Sequence, residues 1–386
     1  MAPSEAECGV FKRFFVKYFM EGQRLQDASV ACEAQLPADA SCERRFVTRA
    51  TRRPNELYCR SSWLVWWSLA LRHNYFQQVL NHWPICLTML AGALVAGATS
   101  EGGAAVAFPV MTLLLEIDPS TARDFAFVVQ STGMTTASFG ILWMSVVVEW
   151  RALLYCQLGG LASYRVPWCD AWPVGLLAGF QWLDPLLTAA MKKMGMVSLS
   201  FAFAIALYLL NRESKRPTFD ALQPGGWWPP VVLLLAGFFG GLFTSFAGCG
   251  LDICCFSILT LLFHISEKVA TPTSVILMAV CSLVGLFWRH MVMDGVENIT
   301  WEYIQAALPV ATTMCGLGSL ISTHFHRMVL AYFIYALETA SLIGGFVVVR
   351  PDLPLTSASL FIIVFAFFFF LAIGRLGKRL VDKATE

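Results

Sequence analysis

Two stretches decide how this chain folds: LAGALVAGATSEGGAAVAFPVMTLLLEI, residues 90–117, and LAGFFGGLFTSFAGCGLDICCFSILTLL, residues 235–262. Laid over each other without a gap, they share Leu-Ala-Gly and then Thr-Ser-x-x-Gly. The register continues to Gly140-Ile-Leu-Trp143 over Gly285-Leu-Phe-Trp288. Glu149-Trp150-Arg151 then opens the next apolar segment of the first half as Thr300-Trp301-Glu302 does in the second. Identities clustered at fixed spacing mark an internal duplication.

Each stretch is apolar on both sides of a polar break that carries glycine: Thr99-Ser100-Glu101-Gly102-Gly103 in the first, Thr244 to Gly250 in the second. The flanking pieces fall short of the roughly 20 residues that a spanning helix needs. Unwound backbone at membrane depth persists only where protein or a water-filled cavity satisfies it. Broken helices at matching places in two repeats mark a transporter's binding site. Glycine permits the break and lets a solute approach the backbone. The piece that restarts after each break would turn its free N–H groups and positive dipole end toward an anionic oxygen. The competing structural reading is a small-residue helix contact with Thr and Ser bonded to their own backbone.

Working outward, the composition requires a bilayer. Hydrophobic residues make up 57% of the 386 and charged ones 14%, against about 45–50% and about 25% in soluble domains. Runs such as 355–374 are continuous rather than alternating, which excludes an outer-membrane barrel. The fold class is therefore all-α, a polytopic transmembrane bundle of two sequence-related repeats, each opening with a broken helix pair. The expected organisation is a polar and basic segment 1–83 with interfacial helices, repeat 1 over 84–210, and a linker at 211–228. Repeat 2 follows over 229–376 and a basic tail over 377–386. Residues 63–71 are apolar but too short to cross, and the first 80 residues carry no signal peptide.

Lys and Arg in the linker, in the turn 324–327 and in the tail place those three on the cytoplasmic side, with the loop 291–300 outside. Counting helices between them runs the repeats parallel, while the short segments 151–165 and 172–188 leave an inverted arrangement open. The protein is integral and multi-pass, in a plasma membrane or endomembrane. The net charge of +1 and the lack of a basic stripe interleaved with aromatics in the apolar body set nucleic acid aside. Eight of the twelve cysteines (Cys86, Cys156, Cys169, Cys249, Cys254, Cys255, Cys281 and Cys315) lie in or beside apolar segments without CxxC spacing and read as packing residues. No His/Cys pattern forms a metal site and no cofactor is expected.

The candidate solute-binding residues are Thr99, Ser100, Gly102, Gly103, Thr244, Ser245, Gly248 and Gly250 in the breaks. The polar helices that follow add Gln130, Ser131, Thr273 and Ser274. Three acids are proton-coupling candidates, because a carboxylate in apolar surroundings is costly and by default functional: Glu101, Asp252 and Glu338. Asp184, beside Pro185, is a weaker fourth, and Arg289-His290 read as interfacial anchors. No nucleophile with a paired base, HExxH or phosphate-binding glycine loop suggests an enzyme. A non-transporting receptor or scaffold is the alternative class.

The breaks with their following half-helices (SEGGAAVAFPVMTLL and AGCGLDICCFSILTLL), the segment VATPTSVILMAVCSLVGLFWRH and the tryptophan-led helices at Trp150 and Trp301 resemble the sulfite exporter TauE/SafE family of membrane permeases. The resemblance covers residues 84–376. It implies a secondary permease for a small anion such as sulfite, a sulfonate or a related organic anion, with coupling to protons. Cys254-Cys255 stand where that family has a proline after the second break.

Overall fold

In the computed structural model the described residues are 54–73, 75–98, 103–143, 146–161, 175–212, 218–222, 227–322 and 327–385. Their regular elements are all helices, without a named strand among them. Five helices among them are long and apolar enough to cross a bilayer: Ala189–Asn211, Trp228–Ala247, Glu267–Val292, Ala331–Val349 and Leu353–Leu380. The pair Tyr75–Asn81 and Trp83–Ala96 is bent by 85°. Pro54–His73 is a 20-residue helix, longer than the apolar run 63–71 alone suggests. Its Trp66 indole donates to the Gln305 carbonyl at 2.8 Å.

We number the helices in chain order: α1 Pro54–His73, α2 Tyr75–Asn81, α3 Trp83–Ala98, α4 Ala104–Pro109, α5 Pro119–Trp143, α6 Trp150–Leu161, α7 Gly175–Ala178 and α8 Ala189–Arg212. There follow α9 Trp228–Ala247, α10 Leu251–Leu261, α11 Glu267–Phe287, α12 Asn298–Ser322, α13 Arg327–Val349 and α14 Leu353–Thr385. Wide π-helical turns prolong α4 (Val110–Leu114), α7 (Gly179–Leu183) and α11 (Trp288–Val292). Pro109 precedes the first of these. Proline cannot donate to the carbonyl four residues back, so the ladder opens there.

The second break is a hairpin tip, and the arms that flank the first are paired. In the second, Gly248 adopts φ +80° and its N–H returns to the Thr244 carbonyl at 2.9 Å, while Gly250 lies at φ +156°. Both conformations are open to glycine and costly for any other residue. The chain therefore reverses, and α10 runs back along α9 until the Trp228 and Phe263 rings stack at 5.4 Å. In the first, Gly92 of α3 faces the Gly103 carbonyl and Val106 of α4, so those arms also lie side by side.

The hairpins enter from opposite ends of the bundle. At the first end, His82 meets Glu302 at 3.3 Å and Thr121 donates to Glu297 at 3.0 Å, which gathers the bases of α3, α5 and α12. At the second end, Phe219 bonds the backbone on either side of Ile265, and the Leu222 N–H donates to Glu149 at 3.0 Å. A Cβ on Gly377 would overlap the carbonyls of Leu261 and Leu262, so the C-terminal helix reaches that end too. The two long helices α5 and α11 connect the ends antiparallel: Phe127 packs on Gly285, and Met134 on Val275 and Ala279.

Close helix contact is bought by small residues. A Cβ at Gly159 would overlap the Leu234 carbonyl, and one at Gly237 the Cys156 carbonyl. Such approach lets dispersion and polar contacts hold helices where lipid removes the hydrophobic drive. Cys156 also forms a disulfide with Cys255, Cα to Cα 7.0 Å, tying α6 to α10. Those two cysteines are therefore a cross-link rather than the packing residues their apolar settings suggested, whereas Cys86, Cys254 and Cys281 form no disulfide among the described residues.

Candidate functional site

Helix α5 carries the polar groups that meet both hairpin tips. Gln130 and Gly133 share a small cavity with Gly103 at the first break, Ala93 and Ala96 of α3, and Ala311 and Cys315 of α12. The cavity holds about 10 Å³, roughly one water-sized group. Gln130 is 2% exposed, and neither its amide nitrogen nor its oxygen has a hydrogen-bond partner among the described residues. An unpaired buried amide costs about 1–3 kcal/mol. Its retention in an apolar pocket points to a ligand or water that completes it. Thr99, Ser100, Glu101 and Gly102 lie outside the described residues.

The second tip rests on the same face of α5, seven residues earlier and so about 10 Å along the axis. A Cβ on Gly248 would sit 3.0 Å from the Ala126 Cβ and 3.4 Å from the Arg123 carbonyl. This tip caps itself. Thr244 Oγ1 accepts the Leu251 N–H at 3.0 Å and donates to the Gly240 carbonyl at 2.8 Å. Asp252 Oδ1 accepts the N–H groups of Gly250 and Ile253 at 3.0 and 2.9 Å. A carboxylate of the chain itself thus takes up the positive start of α10. Its other oxygen, Oδ2, is buried without a partner among the described residues.

The other candidate hydroxyls bond locally. Ser131 donates to Val128, Ser245 to Leu242, Ser274 to Thr271 and Thr273 to Val269, at 2.7 to 2.9 Å. Thr273 also accepts the Glu149 N–H at 3.0 Å. Glu338 is fully buried on α13, and neither of its carboxylate oxygens has a partner among the described residues. Helix α13 packs along α8, where Asn211 donates to Tyr335 at 3.0 Å and Gly345 meets Val197.

A charged cluster that sequence reasoning did not assemble lies beside the second tip. Arg123 Nε donates to Asp124 at 3.0 Å, and its Nη1 donates to Asp184 at 2.7 Å and to the Ser245 carbonyl at 3.2 Å. Arg289 grips Asp124 through Nε and Nη2 at 3.0 and 2.7 Å, and Lys192 reaches Asp184 at 2.6 Å. Arg289 is thus a buried partner of an acid, not the interfacial anchor its place at a helix end implied. The Arg123 guanidinium lies 5.5 Å from the Phe180 ring centroid. The available signal was Arg123-Asp124 between Ala122 and Phe125, two charges inside an apolar helix.

Many apolar spans, two sets of paired helix arms that enter from opposite ends and polar groups buried where they meet one helix define a multi-pass membrane protein. The family model described as sulfite exporter TauE/SafE matches residues 85–344. The chain belongs to that family. No curated protein and no solved structure gives a match.

Proposed function

We propose that the chain is a secondary permease for sulfite or a closely related sulfur oxyanion, built as two inverted repeats that give alternating access to a site between the hairpin tips. The observation that carries this reading is Gln130, buried in the cavity at the first tip with both amide atoms unpartnered among the described residues. An amide offers N–H to a sulfur–oxygen acceptor and C=O to a protonated oxygen, which suits bisulfite as well as sulfite. Opposite entry of the hairpins supports inversion, since rocking one repeat against the other then exposes the site to each side in turn. Linker residues 218–222 and the C-terminal helix lie at the second end, which we take as cytoplasmic.

For proton coupling, Glu338 and Glu101 are the leading acids. Asp252 is committed to capping α10 through one oxygen, whereas Glu338 has both oxygens buried and unpartnered among the described residues. Flux of radiolabelled sulfite into proteoliposomes, with methanesulfonate and chloride as competitors and with an imposed pH gradient, tests the reading. Saturable flux that chloride does not inhibit supports it; flux no greater than that of empty liposomes refutes it.

A further inference from the structure

We propose that Arg123 is the residue that recognises the charge of the transported anion, through its unengaged Nη2. The inference rests on the reading of the chain as an oxyanion permease and names the group within it that selects for charge.

Four observations converge on this side chain. Arg123 is 0% exposed, and Nη2 has no acceptor among the described residues, although Nε and Nη1 are both bonded. A buried guanidinium nitrogen left without an acceptor presents its N–H groups in the planar geometry that oxyanions match. Secondly, two buried guanidinium groups, Arg123 and Arg289, share one buried carboxylate, Asp124. Asp184 takes a further Arg123 nitrogen together with Lys192, and Asp118 acts on Lys192 in turn.

Thirdly, the position is apt. Nη1 binds the Ser245 carbonyl, and Gly248 rests on the Arg123 backbone, so the guanidinium belongs to the second hairpin tip. Gln130 follows two turns later on the same face of α5. Fourthly, the tip's own N–H groups are unsuited to the task. Thr244 and Asp252 already occupy the start of α10, so its N–H groups are taken. Positive charge at this tip comes instead from Arg123, which Asp124, Asp184 and the Phe180 ring hold in one orientation.

Sulfite and methanesulfonate binding to the purified full-length protein in detergent, measured by calorimetry, tests the assignment. Arg123→Lys keeps the charge but loses the planar fork, and R123Q/D184N removes one charge of each sign so that the net charge of the cluster is unchanged. At least a tenfold rise in Kd for Arg123→Lys and loss of binding in R123Q/D184N are expected, with both proteins monodisperse. A residue with a merely structural role would lower the melting temperature and leave Kd unmoved. Retention of the unaltered Kd within twofold in either folded variant overturns the assignment while leaving the permease reading intact. If the unaltered protein neither binds nor carries these anions, the permease reading itself fails.

Discussion

Asp124 and Arg289, on two antiparallel helices and 165 residues apart in sequence, are joined by a pair of near-parallel hydrogen bonds, Nε to Oδ1 at 3.0 Å and Nη2 to Oδ2 at 2.7 Å. Asp124 is 2% exposed and also takes the Nε of Arg123. One carboxylate therefore holds two guanidinium groups and binds the first half of the chain to the second. Removal of one partner from such a buried pair typically costs about 3–5 kcal/mol, because the survivor keeps its desolvation cost without its attraction. Asp124→Asn should lower the melting temperature in detergent sharply, and D124N/R289Q should recover part of the loss. Equal melting temperatures for the single and double variants would contradict this.

At Gln130 stability and transport should move in opposite directions. Gln130→Leu removes an unpaired amide from an apolar cavity, so its melting temperature should be equal to or above that of the parent. Sulfite flux should fall at least tenfold. Normal flux in that variant would show that the cavity is no part of the path.

Two glycine-to-alanine exchanges should differ in sign. At Gly248 the φ of +80° and the Ala126 Cβ 3.0 Å away oppose a methyl group, and a loss of roughly 1–2 kcal/mol is expected from the backbone alone. At Gly374 nothing lies within 4 Å of the added carbon, and Ala should stabilise the helix by about 0.5–1 kcal/mol. Thermal unfolding of both variants checks the contrast.

Glu338→Gln retains the shape of the side chain and loses its ability to carry a proton. Uptake driven by a pH gradient should fall to the level seen without one, while exchange of labelled for unlabelled sulfite across symmetric membranes should persist. If gradient-driven uptake survives in full, Glu101→Gln becomes the decisive variant.

Sidedness can be read with single cysteines in a background lacking the native ones. An impermeant maleimide applied to intact cells should label a cysteine at Asp294 and leave those at Ser214 and Thr385 untouched. The reverse pattern would invert the assignment of the two ends.

The second break was legible in the sequence because glycine and hydroxyl residues interrupt a long apolar run, and the chain reverses there; residues 99–102 of the first lie outside the described ones. Local pattern marked Gln130 only as a polar residue within an apolar helix. It gave no account of which charges meet, since Arg123 with Asp184 and Asp124 with Arg289 are long-range pairs that depend on helix rotation. For the same reason Arg289 read as an anchor at a helix end: its distance from the chain's apolar centre was visible, but the acid that draws it inward was not. Capping of α10 by Asp252 shows a further limit. A carboxylate two residues beyond a glycine fits a proton carrier and a helix cap equally well, and only the bonds to Gly250 and Ile253 separate them.

The three wide turns, Val110–Leu114, Gly179–Leu183 and Trp288–Val292, have a mechanical consequence. Each holds one more residue than an α-turn would need, and the third contains Arg289, while the second ends next to Asp184. Converting such a turn to α-helical winding swings everything beyond it by about 100° and advances it by about 1.5 Å. A change of winding at the third turn would therefore displace Arg289 relative to Asp124 without any helix being pulled out of the bundle.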